Sequence, residues 1–363
     1  MAKIVVFSDA IQGQDSRAHF LRQILNNAAE TANEIYYVTQ NKGNEEIREL
    51  HPKVQVLRAF KKWSLFEATQ LLPVLFQIKA DIFHFVQPLK KIGLNHAYPI
   101  LAAFAKTSKA QVVLSLVEQE EKMSHGLGSM IAASSFVSVF DPRQALSIQG
   151  QFQNIAIESL PVWAFPDQNL SHETEVLAFE PFVFLPENLH LYEFPMKLVR
   201  ILISALQKNI DLNLVCIGSQ LDFDLKTRRQ ILQELEPVAG RIRWVGPLSL
   251  KQKLIFLKRA ELTVLSGLRS SPQRLHENIG LILTAQAPTV MSPDQVFASQ
   301  ANIQNDLHAK VVEASEVESA ISEVLNSQMI KNSLRNNLAE LRSLHSQDQL
   351  GNRLNRIYAK LLS

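Results

Sequence analysis

Short apolar runs alternate with stretches of helical periodicity along most of the chain. Lys3 to Ser8 is a β-rich run, and Gln14 to Ala32 sets Ala18, Leu21, Ile24, Leu25 and Ala28 at helical spacing. Further strands are predicted at Glu34 to Thr39, Val54 to Phe60, Ala80 to Val86, Ala110 to Val117, Phe136 to Phe140 and Asn154 to Leu160, most with helical patterns between them. The runs are near-continuous Val, Ile, Leu and Phe instead of period-two alternations, as expected of parallel strands that helices cover on both faces. Periodicity is lost from Val162 to Glu173, which places a linker over 166–178. The alternation then restarts, with strands predicted at Phe182 to Leu185, Asn213 to Gly218, Ile242 to Val245, Leu262 to Leu265, Pro288 to Met291 and Lys310 to Val312. Helices are expected at Glu193 to Lys208 and Lys226 to Leu235, and the tail is helical from Ser315, with Leu350, Leu354, Ile357, Tyr358 and Leu361 on one stripe. The pattern predicts two doubly wound α/β domains, 1–165 and 179–345, and a last helix over 346–363. Such sheets bind ligands beyond the carboxyl ends of their strands, so the expected site is a cleft between the two domains.

Composition narrows the class. Apolar residues are 46% of the 363 and charged residues 20%, which supports large cores and excludes global disorder. The 37 Lys and Arg nearly balance the 35 Asp and Glu, leaving +2, so no concentrated basic face for nucleic acid is expected. Cys216 is the single cysteine, in an apolar run; this gives no disulfide framework and no thiolate metal cluster, and an inert core thiol is expected. No metal and no cofactor is implied. No run reaches the roughly 18 apolar residues of a membrane span, and Met1-Ala2-Lys3 leads directly into Ile4 to Phe7 without the pattern of an export signal. A cytoplasmic setting is expected.

The order of elements, together with several short stretches, resembles the two-domain GT-B glycosyltransferases, specifically the retaining family 4 pattern. Lys3 to Asp9 looks like the family's opening strand, Ala80-Asp81-Ile82-Phe83-His84-Phe85 resembles its "PDVVHVH" strand, and Gln111 to Leu116 is similar to "VVVTLHG". Asn154 to Val162 sits where "KIVVIPNGVD" closes the first domain. In the second half Leu212 to Gly218 resembles "LRLVIVG", Arg241 to Ser249 resembles "VRFLGYVS", and Arg259 to Ser266 matches "RADVFVLPS" in order and spacing. Asn355-Arg356-Ile357-Tyr358 falls where the family ends in a helix that crosses back to the first domain. The resemblance implies two Rossmann-like domains, a nucleotide-sugar donor in the second and an acceptor in the first.

The family's donor site is matched only in part. A departing nucleotide diphosphate needs cations or backbone amides aimed at it. The donor-binding candidates are Gly218, Gly246, Ser266 and Glu277, together with Arg269 and Arg274, which follow the strand ending at Ser266. The family's Arg and Lys in "GRLSPEKG" map onto Glu187 and Tyr192, and a carboxylate at 187 would repel the diphosphate instead of holding it. Its two glutamates, eight positions apart, map onto Gln273 and Leu281, or in another register onto Glu277 and Ala285. The histidine of "TLHG" maps onto Val117, which leaves His84 and Glu277 as the catalytic candidates, His84 reading better as a hydrogen-bonded structural histidine. Only 12 glycines are present, and the first loop, Ser8 to Gln14, holds one of them. Two functions follow. One is a glycosyltransferase-like protein with lost or strongly altered nucleotide-sugar transfer that binds a sugar ligand or a protein partner. The other is an active, diverged transferase that moves a sugar onto an envelope glycoconjugate or polysaccharide, with Arg269 and Arg274 as its cations.

Other motifs read blandly. Asp222-Phe223-Asp224 is a DxD tripeptide expected to be solvated or to cap a helix, Ser124 to Gly128 is a loop, and Glu118, Glu120, Glu121 and Lys122 form a solvated turn. Arg58, Lys61, Lys62, Trp63, Lys79, Lys90 and Lys91 interleave with Phe60, Leu65, Phe66, Leu71, Leu72, Val74, Leu75 and Phe76. Either an amphipathic helix packs on the first sheet here, the preferred reading, or the region also makes peripheral contact with an anionic membrane face.

Overall fold

The computed structural model describes residues 2–8, 16–32, 34–40, 50–61, 64–87, 97–117, 125–165, 180–268 and 272–363. The chain divides into two units, Met1–Pro161 with Ser271–Gln273 and Gln347–Ser363, and Val162–Ser270 with Arg274–Ser346.

In the first unit the order is β1 (Lys3–Phe7), α1 (Ser16–Thr31), β2 (Glu34–Gln40), β3 (Val54–Phe60), α2 (Leu65–Ile78), β4 (Ile82–Gln87), α3 (Ala97–Thr107), β5 (Gln111–Leu116), α4 (His125–Ala133), β6 (Phe136–Val139), α5 (Pro142–Gln151) and β7 (Ala156–Ser159). The sheet is parallel, in the order β3-β2-β1-β4-β5-β6-β7. Right-handed crossovers then set α1 on one face and α2 to α5 on the other, so both faces are covered and the central strands are mostly apolar. Under α2 to α4 the core centres on Phe7, which stacks on Phe83 and Phe85 with centroids 5.8 and 4.7 Å away, and Tyr98 of α3 meets Phe85 edge-on at 5.4 Å.

The second unit runs β8 (Phe182–Asn188), α6 (Pro195–Lys208), β9 (Asn213–Ile217), α7 (Leu225–Leu235), β10 (Ile242–Val245), α8 (Leu250–Arg259), β11 (Leu262–Val264), α9 (Pro272–Ala285), β12 (Thr289–Met291), α10 (Pro293–Ser299), β13 (Lys310–Val311), α11 (Val317–Asn326) and α12 (Gln328–Leu344). Its sheet is also parallel, in the order β10-β9-β8-β11-β12-β13. The last helix, α13 (Gln347–Leu362), groups with the first unit and pairs with α1. Leu350, Leu354, Ile357 and Tyr358 of its stripe are buried, as are Ala18, Leu21, Ile24, Leu25 and Ala28 of α1. Gly351 allows the close approach, because a Cβ there would lie 2.0 Å from Asn27 Oδ1.

Every strand expected from the sequence is present. Val162–Phe165, expected to end the first domain, instead groups with the second unit. The physical reason is twofold: Val162, Ala164 and Phe165 are buried in the second unit's core, and Phe165 N–H donates to Thr284 Oγ1 at 2.7 Å, Ala164 N–H donates to the His345 carbonyl at 2.6 Å, and His345 Nδ1 lies 2.9 Å from the Val162 carbonyl. Gly280 makes room for this segment; a Cβ there would sit 2.4 Å from the Trp163 carbonyl oxygen. The linker expected over 166–178 lies outside the described residues.

Candidate functional site

In the second sheet the strand order reverses between β8 and β11, and the crevice beyond the carboxyl ends of such a pair is where open α/β sheets take ligands. Glu187 stands at the end of β8 and is buried. Lys253, in the first turn of α8, puts its Nζ 2.9 Å from Glu187 Oε1 and 3.1 Å from Glu277 Oε1. Asn278 Nδ2 donates to the same Glu187 oxygen at 3.1 Å, and Arg274 Nη1 lies 3.9 Å from Glu187 Oε2. Burial alone would pull the Lys253 ammonium down, but the Glu277 and Glu187 carboxylates outweigh it and hold its pKa above the usual lysine value. Two carboxylates and two cations therefore compensate one another. The carboxylate at 187 does not stand alone: Glu187 meets a lysine 66 positions further along the chain.

Local sequence explains the placement. Ser249 and Gln252 form a reciprocal capping box that starts α8, so its first turn presents Lys253 to the end of β8. Glu277 and Asn278 lie in the second turn of α9. Asn278 is fully buried, and its Oδ1 has no hydrogen-bond partner.

Tyr192, at the position matching the family's lysine, is built into the interior. Its hydroxyl donates to the Val264 carbonyl at 2.8 Å, its backbone bridges Leu268, and the next N–H, of Glu193, donates to the Gly267 carbonyl at 2.6 Å. The segments after β8 and β11 are thereby stitched together. Burial, aided by the Glu187 charge, pushes the phenol far up, so it stays neutral. Ser266 is buried and, with Gly267, lines a mainly apolar depression alongside Phe194, Leu198 and Val317.

Gly218 has φ of +101° and follows β9; a Cβ there would lie 2.3 Å from Asn188 Nδ2 and 2.9 Å from Asp222 Oδ2. The Asn188 amide donates to Asp222, which also accepts from Ser219 N–H at 2.8 Å, and these bonds hold the Asp222 carboxyl below its usual range. Asp224 caps α7 through Lys226 N–H and Thr227 N–H, each at 3.0 Å. Both carboxylates of the DxD tripeptide are thus committed to local backbone. Gly246 is exposed, with open space where a Cβ would go. Arg269 lies outside the described residues, and Gln273 is in the first turn of α9. Leu281 is buried in α9, and Val117 is buried after β5. Cys216 is buried in β9, and burial pushes its thiol up.

In the first unit His84 of β4 is fully buried. Its Nδ1 lies 2.6 Å from the Tyr358 hydroxyl and its Nε2 2.7 Å from the Ser115 hydroxyl, which in turn is 2.6 Å from that of Ser138. Burial pulls the imidazole down to about 3. Both ring nitrogens are engaged, in a polar row that ties α13 to strands β4, β5 and β6. The charge cluster at 118–122 and the first loop beyond Ser8 lie outside the described residues.

Lys253 and Asn278 are the members of the cluster that sequence reasoning missed. A signal was available: Lys253 shares the buried face of α8 with Leu250, Leu254 and Leu257, and a cation on an apolar stripe needs a buried partner.

Over its whole length the chain is similar in fold to a glycosyltransferase from Rickettsia africae ESF-5, with a TM-score of 0.70 at 12% identity, covering 100% of this chain and 99% of that one. Similar likeness extends to Anabaena HepE in complex with UDP and glucose (TM-score 0.67, 13% identity, 99% of this chain and 100% of that one). Sucrose-phosphate synthase from Thermosynechococcus elongatus matches with a TM-score of 0.64 at 14% identity, over 100% of this chain and 99% of that one. These neighbours are GT-B glycosyltransferases, and the fold of this chain is theirs. No family model matches the chain, and no curated protein sequence matches it.

Proposed function

We propose that this chain is a glycosyltransferase-like GT-B protein in which nucleotide-sugar transfer is lost or strongly altered and the fold serves binding or scaffolding. The observation that carries the reading is the state of the two positions that match the family's diphosphate-gripping cations. Glu187 is compensated inside a buried ion cluster, and the Tyr192 hydroxyl is tied to the Val264 carbonyl. Neither offers positive charge to an incoming diphosphate, and such charge is one of the main sources of electrostatic stabilisation at a donor site. The fold by itself decides nothing, since one architecture hosts many functions.

One observation favours a second reading, an active diverged transferase. The Arg274 guanidinium stands 56% exposed at the rim of the cluster, where a diphosphate could draw it away from Glu187. Calorimetric titration with UDP-glucose and GDP-mannose separates the two. The first reading expects no binding below millimolar concentrations. Micromolar binding that Arg274→Ala weakens tenfold or more would establish the second.

A further inference from the structure

Helix α2 buries one face, through Ala68, Leu71, Leu75 and Ile78, against the first sheet. The opposite face is unusual for a surface helix. Its exposed residues are Leu65, Phe66, Thr69, Gln70, Pro73, Val74, Phe76 and Gln77, and none is charged. Phe66 and Phe76 are 69% and 68% exposed, and Leu65 and Val74 are 48% and 42% exposed. Phe66, Thr69, Pro73 and Phe76 follow one another at steps of three, four and three residues, so they form a single outward row along a helix about 21 Å long. Single exposed apolar residues need no explanation, but a row without charges does.

The stretch of chain that carries the helix is basic. Among the described residues of 54–117 there are five cations, Arg58, Lys61, Lys79, Lys106 and Lys109, against two carboxylates, Glu67 and Asp81. Lys61 and Lys79 are exposed and flank the two ends of the helix. Glu67 is occupied at the helix start, where it accepts from Lys61 N–H at 2.9 Å and from the Ser64 hydroxyl at 3.1 Å, and Asp81 accepts from Lys3 N–H at 2.8 Å. Pairing two copies of this face, parallel or antiparallel, would set lysine against lysine at both ends. The charge pattern instead complements an anionic partner, and a convex helix ridge with two projecting phenylalanines fits a deformable plane better than a preformed groove.

We infer that the outward row of α2 is a lipid-docking surface, with Phe66 and Phe76 inserting at the acyl boundary of an anionic bilayer and Lys61 and Lys79 facing its headgroups. The inference concerns the first unit and does not depend on whether a donor sugar binds the second. Co-sedimentation of the full chain with phosphatidylcholine vesicles, with and without 30% phosphatidylglycerol, tests it. The expected result is at least tenfold more protein recovered with the anionic vesicles, reduced at 0.5 M NaCl. Recovery should fall at least tenfold in Phe66→Ser/Phe76→Ser and in Lys61→Glu/Lys79→Glu. Wild-type protein left in the supernatant with anionic vesicles would overturn the inference, as would undiminished capture of the phenylalanine variant. So would a lipid-free dimer that the phenylalanine substitutions dissolve, which would assign the face to a second copy of the chain.

Discussion

His84 makes a pH dependence that can be worked out from its surroundings. In the folded chain burial holds its imidazole at about 3, against an ordinary value of 6.5. Between those values the unfolded chain binds a proton that the folded chain refuses, so stability is complete above about pH 6.5 and drains away as pH falls towards 3. The loss from this one group is about 2 kcal/mol at pH 5 relative to pH 8, and roughly 5 kcal/mol once both states are below their titration range. Urea unfolding by circular dichroism at pH 8, 6.5 and 5, on wild type and His84→Gln, isolates it. Glutamine can still hydrogen-bond to Ser115 or Tyr358 but does not titrate, and subtracting the variant removes every other ionising group. The wild-type advantage should shrink by about 2 kcal/mol between pH 8 and pH 5. A difference that stays constant across that range refutes the assignment of His84 as a neutral, buried, structural histidine.

Three further outcomes can be measured by urea unfolding. Lys253→Met should destabilise the second unit by about 3–5 kcal/mol, since it leaves the Glu187 and Glu277 carboxylates buried without their ammonium, and adding Glu187→Gln and Glu277→Gln should recover most of the loss. Gly280→Ala should cost about 1–3 kcal/mol by overpacking against the Trp163 carbonyl, a backbone atom that cannot swing aside, and this exceeds the ~1 kcal/mol that alanine gains in a helix. Gly351→Ala should destabilise the α1–α13 contact in the same way, but its obstacle is the side chain of Asn27, so the loss should disappear in Gly351→Ala/Asn27→Ala.

The fold was legible because parallel strands buried on both faces leave an unmistakable trace, a near-continuous apolar run between helical patterns. The last helix was legible for the same reason, since Leu350, Leu354, Ile357 and Tyr358 must be covered by something. The site was less so. Glu187 read alone is a carboxylate where a cation was expected; the apolar stripe of α8 says that Lys253 needs a buried partner, but only the later crossovers of the fold make that partner Glu187 and bring Asn278 beside it. The attachment of Val162–Phe165 to the second unit is not legible in the sequence, because a short apolar segment without periodicity does not say which core it enters, and its hydrogen bonds to Thr284 and His345 leave no pattern. The exposure of Phe66 and Phe76 was hidden too: an amphipathic reading of α2 accounts for its inner face and says nothing of whether the outer one is covered.

The cluster also constrains how the site can change. Glu187→Arg would restore the cation of the resembling family at that position, but it would bring a guanidinium within reach of the Lys253 ammonium in place of the carboxylate now 2.9 Å away. At an effective dielectric near 20, two like charges about 4 Å apart repel by roughly 4 kcal/mol, and Glu277 can compensate only one of them. Tyr192→Lys meets a different barrier, because the phenol it replaces lies buried with its hydroxyl on the Val264 carbonyl, and an ammonium there must give up its hydration. Each single reversion is therefore expected to lower the urea midpoint without creating diphosphate affinity. Combining Glu187→Arg with Lys253→Glu, which returns an opposite charge to the pair, should regain most of the lost stability. If Glu187→Arg alone unfolds at the wild-type midpoint, the ion cluster is not the constraint that fixes the residue at 187.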